Sequence, residues 1–178
     1  MEVLRRLQAA GFRLKIDKYF FGLKELLYLG YIISGEGLKP DPNKVKAINE
    51  LKTPEDTRQL RAGLGLVNYY GKFIPKLSLE AAPLNRLLKK GELWRWEDEQ
   101  ESAWKRIKAL LVSSEVLCSY DPDLPLKLSC DASSYGVAAV LAHVFPDKSE
   151  RPIAYASKAL SQARKIIPNR TKRHSQSS

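Results

Sequence analysis

Few side chains in this chain are placed to do chemistry, and the foremost is Asp131, within LKLSCDASSYGVAAVLAHV at residues 126–144. A carboxylate there can hold a divalent cation, or it can accept the N–H groups of its own turn. Leu126, Leu128 and Cys130 alternate with Lys127, Ser129 and Asp131, so strand periodicity sends the apolar set into a core and Asp131 to the opposite face. Ser133, Ser134 and Gly136 then supply a turn, and residues 136–144 read as a second strand, small and apolar enough to be covered on both faces. Taken alone, the hairpin favours the turn cap over the metal ligand; a metal reading needs further acids. Cys118 and Cys130 are the only cysteines, and His143 and His174 lie at no ligand spacing. A zinc site and a disulfide framework are therefore unsupported, and two buried free thiols are expected. Gly63 and Gly65 fall inside a helical pattern and lack the following glycine or lysine of a phosphate loop. In a helix interior they predict close approach of another backbone.

The elements that must position these groups come from a chain of 178 residues, enough for one domain or two small ones. No apolar run reaches the roughly 18 residues of a membrane span, and the N-terminus has no signal-peptide core, so an intracellular protein of cytoplasm or nucleus is expected. The net charge is +10, and residues 164–178 carry five basic and no acidic side chains, leaving +5 for the body. Such an excess suits a polyanionic partner, nucleic acid before membrane. The tail itself reads as disordered and solvated.

Residues 2–10 read as a helix with Val3, Leu4 and Leu7 on one face and Gly11 as its C-cap. A helix starting uncapped at Met1 suggests a chain cut from something longer. Residues 12–39 turn to β patterning, with strands expected at 19–21 and 26–33 and a hairpin turn at Ser34-Gly35-Glu36-Gly37. Tyr28, Leu29 and Tyr31 are then on a central strand. Asp41-Pro42 opens a helix with Val45, Ile48 and Leu51 inward. Thr53-Pro54-Glu55-Asp56 opens another, with Thr53 as N-cap, Leu60, Leu64, Val67, Tyr70 and Ile74 on one face, and Arg58, Arg61 and Lys72 elsewhere. A short helix over 78–90 and one from about Glu97, with Trp104, Ile107 and Leu111 inward, complete a helical middle. Trp94, Trp96 and Trp104 could stack on bases, although beside a leucine stripe they read as core. Residues 151–157 form a third strand of the last unit.

The order of these blocks resembles the junction of reverse transcriptase and ribonuclease H in the Pol polyprotein of gypsy-class LTR retrotransposons. Carrying the resemblance are Tyr28-Leu29-Gly30-Tyr31-Ile32-Ile33-Ser34 with Pro40-Asp41-Pro42-Asn43-Lys44-Val45, then Leu60-Arg61, Leu64-Gly65-Leu66, Tyr69-Tyr70 and Phe73-Ile74. Ala82-Pro83-Leu84 with Leu87-Leu88-Lys89, Asp131-Ala132-Ser133 with Tyr135-Gly136, and Arg151-Pro152-Ile153-Ala154-Tyr155-Ala156-Ser157 follow in order. The resemblance covers about residues 2–163. It implies an α+β fold: a small antiparallel β unit ending the palm (1–39), a helical thumb-like middle and connection (40–120), a partial ribonuclease H-like mixed sheet (121–163) and a basic tail (164–178).

It also implies roles. Tyr28, Leu29, Gly30 and Tyr31 match the primer-grip turn, and Arg58, Arg61 and Lys72 lie on helices that track a duplex backbone without reading sequence. Asp131 matches the first of the acids that hold Mg²⁺ across a scissile phosphate, as catalytic and metal-binding residue. The implied partner is an RNA/DNA hybrid or primer–template duplex, with complementing Pol polypeptides and no membrane. Departures limit this. The polymerase aspartates would precede Met1, no adjacent Asp-Asp occurs, and no acidic residue follows Glu150. The expectation is therefore a reverse transcriptase/ribonuclease H segment not catalytically competent alone, with a non-enzymatic nucleic-acid-binding module or a non-functional translated relic as alternatives.

Overall fold

The computed structural model describes residues 2–13, 15, 20–133 and 136–160. Among these, helix α1 (Glu2–Ala9) stands apart with no buried residue, its Glu2 paired with Arg5 and Arg6. It ends at Gly11, whose φ of 76° suits the expected C-cap. Val3, on the apolar face of this helix, is exposed.

Strands β1 (Glu25–Tyr28), β2 (Tyr31–Ser34) and β3 (Gly37–Pro40) form an antiparallel meander. Residues 26–33 are not one strand, as their apolar run suggests. The chain reverses at Leu29 and Gly30, both with positive φ (49° and 74°), the pair that a tight two-residue hairpin turn requires. Phe20 and Phe21 lie outside any strand and are exposed, and Tyr19 lies outside the described residues. At the far edge β3 is extended by a single bridge, Leu38 N–H donating to Leu117 O (2.7 Å) and Leu117 N–H returning to Leu38 O (2.9 Å). The approach is so close that a Cβ at Gly37 would lie 2.1 Å from Leu117 O.

Helix α2 (Pro42–Asn49) starts as Asp41-Pro42 predicts, the Asp41 carboxylate accepting from Asn43 N–H (2.9 Å). Its last carbonyls are met from another helix: Lys108 Nζ donates to Asn49 O and Leu51 O, both at 2.9 Å. Helix α3 (Thr57–Tyr69) begins later than its proline suggests. Asp56, not Thr53, is the N-cap and accepts from Gln59 N–H at 2.7 Å, while Thr53 donates to Glu101 at 3.1 Å. After Tyr69 the chain tightens into a 3₁₀ turn (Gly71–Phe73) instead of running on to Ile74. The helix expected over 78–90 is two pieces, α4 (Leu77–Glu80) and α5 (Ala82–Arg86), broken where Pro83 opens the second. Helix α6 (Asp98–Val112) closes the layer.

Its Trp104, Ile107 and Leu111 pack with Leu60, Leu64 and Val67 of α3 and with Phe73, Ile74 and Leu84 in one buried core. The indole of Trp104 meets α3 end-on at Gly63, where a Cβ would sit 2.7 Å from Trp104 Cη2. The close approach at Gly63 is therefore that of a side chain, not a backbone, and Gly65 faces open space. Trp94 and Trp96 stack on each other at its rim, half-buried.

Strands β4 (Leu126–Ala132), β5 (Gly136–Val144) and β6 (Glu150–Ala159) make a second antiparallel meander. The alternation in β4 is as predicted, but the faces are exchanged. Asp131 lies opposite Ala138, which lies opposite Ser157, and this face meets the helices: Ser78 N–H and Oγ–H donate to Ser157 Oγ (2.8 Å) and Ser157 O (2.7 Å). Tyr155 on the same face packs against the core. Leu126 (49% exposed) and Leu128 (64%) on the other face are open, and so is Cys130, while Cys118 is half-buried. Periodicity fixes which residues share a face and leaves open which face finds a neighbour. The expected helix start at 158–163 is strand through Ala159, and its remainder, like the tail, lies outside the described residues. No helix among the described residues is long and apolar enough to cross a membrane.

Candidate nucleic-acid interface

The hairpin tip is exposed yet tied to α3 by side-chain hydrogen bonds. Leu29 is a leucine in the left-handed region, a conformation L-residues hold only when neighbours impose it. Those neighbours are the tyrosines ending α3. Tyr69 Oη donates to Leu29 O, and Tyr70 Oη donates to Gly30 O at 3.1 Å, where Asp41 N–H also arrives at 3.0 Å. In return Tyr31 Oη donates to Tyr69 O at 2.9 Å. The rings pack together, Tyr31 stacked on Tyr69 with centroids 5.2 Å apart and Tyr70 edge-on to Tyr69 at 5.0 Å. A Cβ at Gly30 would lie 2.9 Å from Tyr70 Oη on a backbone at φ 74°, so the turn favours glycine there.

With both turn carbonyls drawn toward α3, planarity of the trans peptide turns the Gly30 N–H away from Tyr69. Tyr28 and Leu29 are exposed beside it. Lys72 is half-buried, its Nζ 4.2 Å from the Tyr31 ring centroid and 5.4 Å from that of Phe73, and burial lowers its affinity for a proton. Burial first, and the bond to Tyr69 second, push the Tyr31 phenol up to about 12; burial likewise raises Tyr70.

Of the residues expected to meet nucleic acid, Tyr28, Leu29, Gly30, Tyr31 and Lys72 come together at this tip. Arg58 and Arg61 do not. They lie exposed near the start of α3, without an ion pair among the described residues, about 16 Å and about 12 Å along the helix axis from Tyr69. The exposed side of α3 between them carries Gly65 and Leu66. Tyr69 and Tyr70 have no singled-out role in a pattern reading, where Tyr70 is merely an inward residue; their signal is the adjacent pair at a helix end.

Asp131 is elsewhere, at the end of β4. Its carboxylate is 67% exposed and 2.8 Å from Lys76 Nζ, and this pairing raises the lysine's affinity for its proton. Lys76 reaches it from a left-handed residue (φ 54°) just ahead of α4. Ribonuclease H-like domains use divalent metals. Here no three His, Cys, Asp or Glu side chains among the described residues gather to hold one, and the charge set against Asp131 is an ammonium. Mg²⁺ requires several converging oxygens, so this donor set does not fit it.

The ribonuclease H-like domain found in reverse transcriptase matches residues 96–174 of this chain. The fold agrees: a foamy viral protease-reverse transcriptase solved with double-stranded DNA superposes with a TM-score of 0.76 at 24% identity, covering 92% of this chain and 29% of that one. A foamy viral protease-reverse transcriptase solved with an RNA/DNA hybrid gives 0.74 over 93% of this chain and 22% of that one. In sequence, the Tf2-3 and Tf2-4 transposon polyproteins of Schizosaccharomyces pombe are each 37% identical over 162 residues, 91% of this chain. The chain belongs to the Pol polyproteins of LTR retrotransposons, in their reverse transcriptase and ribonuclease H region. It spans 12% of the length of those curated relatives.

Proposed function

We propose that this chain is a duplex-holding part of a retrotransposon reverse transcriptase/ribonuclease H, gripping a primer–template or RNA/DNA hybrid without itself extending or cutting it. The observation that carries this is the hairpin tip, which sets the Gly30 N–H outward from an anchored turn, on a helix whose Arg58 and Arg61 have no ion pair among the described residues. Two guanidiniums and a fixed backbone donor suit phosphate oxygens and carry no base information. The foamy viral neighbours, solved with double-stranded DNA and with hybrid, support the same ligand class.

In this reading residues 1–39 end a palm, 40–120 form thumb and connection, 121–163 begin the ribonuclease H-like sheet and 164–178 add charge, in an intracellular setting where other Pol polypeptides complement it. Mg²⁺ serves the reaction of the larger protein; Asp131, held by Lys76, does not recruit it alone. The relic reading draws on one observation, the open apolar face of Leu126 and Leu128, which lowers the stability of the last sheet.

The test is fluorescence anisotropy of a labelled RNA/DNA hybrid titrated with the chain at several salt concentrations. Affinity is expected to fall linearly on logarithmic axes, and Arg58→Ala with Arg61→Ala to flatten the slope by about 2, near one unit for each phosphate no longer neutralised. An unchanged slope in the double variant would overturn the assignment of these arginines.

A further inference from the structure

We propose that Tyr69 and Tyr70 are positioning residues that lock the Leu29–Gly30 turn to the end of α3, so that hairpin and helix meet a duplex as one rigid unit. This rests on the duplex-holding reading and goes beyond it by assigning the coupling to two hydroxyls.

Three observations carry the inference. First, the bonds are reciprocal across about 40 residues of sequence: the helix end donates to the carbonyls of both turn residues, and Tyr31 donates back to Tyr69 O. Second, the two tyrosines differ in burial. Tyr70 is 4% exposed and belongs to the core, whereas Tyr69 is 49% exposed. Removing the Tyr69 hydroxyl therefore leaves nearly all core packing in place while freeing Leu29 O. Third, the turn is one the chain would not hold by itself. A leucine at φ 49° is strained, and at Gly30 a Cβ would both strain the backbone (φ 74°) and crowd Tyr70 Oη at 2.9 Å. An unaided hairpin tip of this kind samples several conformations; bound by both hydroxyls it has one, and a donor held in place loses less freedom on binding.

The experiment uses the full chain with Tyr69→Phe, Tyr70→Phe and the double variant. Backbone order at Leu29, Gly30 and Tyr31 is followed by NMR relaxation, and exchange of the Asp41 amide, which shares the Gly30 carbonyl, reports on the same turn. Hybrid affinity is measured by anisotropy across salt. Expected are increased motion confined to residues 28–31, faster Asp41 exchange, and affinity about fivefold weaker per hydroxyl removed. The salt slope should stay that of the wild type, because the number of phosphates neutralised does not change. A turn as ordered in the double variant as in the wild type would overturn the proposal, and so would a loosened turn with unchanged affinity. If Tyr70→Phe fails to fold, the exposed Tyr69→Phe decides alone. A wild-type chain that binds no duplex would refute the duplex-holding reading, while the order of the turn would still decide whether the two hydroxyls fix it.

Discussion

Helix α3 carries two glycines two positions apart, and the same substitution at each should have opposite effects. Glycine in a helix interior costs about 1 kcal/mol relative to alanine, so on propensity alone both changes to alanine stabilise. At Gly65 nothing lies within 4 Å of the added methyl, and the full gain of roughly 0.5–1 kcal/mol is expected. At Gly63 the methyl would meet Trp104 Cη2 at 2.7 Å and two further indole atoms at 3.5 and 3.6 Å. Relaxed carbon–carbon distances lie near 3.5–4.0 Å, so the overlap approaches 1 Å. Trp104 is 1% exposed within the buried core and cannot swing aside without displacing its neighbours there. Overpacking of that kind costs about 1–3 kcal/mol, which exceeds the propensity gain and leaves Gly63→Ala destabilised by roughly 1–2 kcal/mol. Urea titrations followed by tryptophan fluorescence measure both, with the midpoint falling for Gly63→Ala and rising for Gly65→Ala at constant slope. Stabilisation at both sites would refute the packing argument, because the indole would then have room that the structure denies it.

Two further outcomes follow from the hairpin tip and from Asp131. Tyr31 is raised in the folded state to about 12, with Tyr70 raised in the same direction, so folding favours the protonated phenols. Their contribution is complete below the unfolded tyrosine value near 10 and is lost as pH climbs from about 10 to 12. Melting temperature recorded over that window should drop with the rise in tyrosinate absorbance, and Tyr31→Phe should remove much of the drop; a flat profile would contradict the burial of the phenol. Mg²⁺ titrated into isotope-labelled chain should shift the Asp131 amide no more than those of other surface carboxylates, in wild type and in Lys76→Met alike, and a saturable shift confined to Asp131 would restore the metal-ligand assignment.

The α+β order was readable because its signals are local: Asp41-Pro42 names its own helix start, the stripe at Leu60, Leu64 and Val67 names its own inner face, and strand alternation runs true from 126 to 132. What escaped depends on partners remote in sequence. Leucine carries no turn signal, and Leu29 adopts its conformation because Tyr69 and Tyr70 stand 40 residues on. Asp131 was found by residue type, yet Lys76, 55 residues earlier, changes what it can do. Proline suggested the helix start at Thr53, whereas the carboxylate of Asp56 wins as the cap because it reaches Gln59 N–H. The orientation of β4 was unreadable for the same reason: Ser78 and Ser157, not any property of Leu126 or Leu128, choose the covered side.

The bridge between Leu38 and Leu117 bears on how the polypeptide acquires its shape as it leaves the ribosome. The third strand borrows its outer neighbour from a segment that emerges only after helices α2 to α6 have been synthesised. Closing so long a loop is slow, and until it closes the early meander has a bare margin able to recruit foreign strands. Chaperone demand during translation should therefore peak before residue 117 appears and subside soon after.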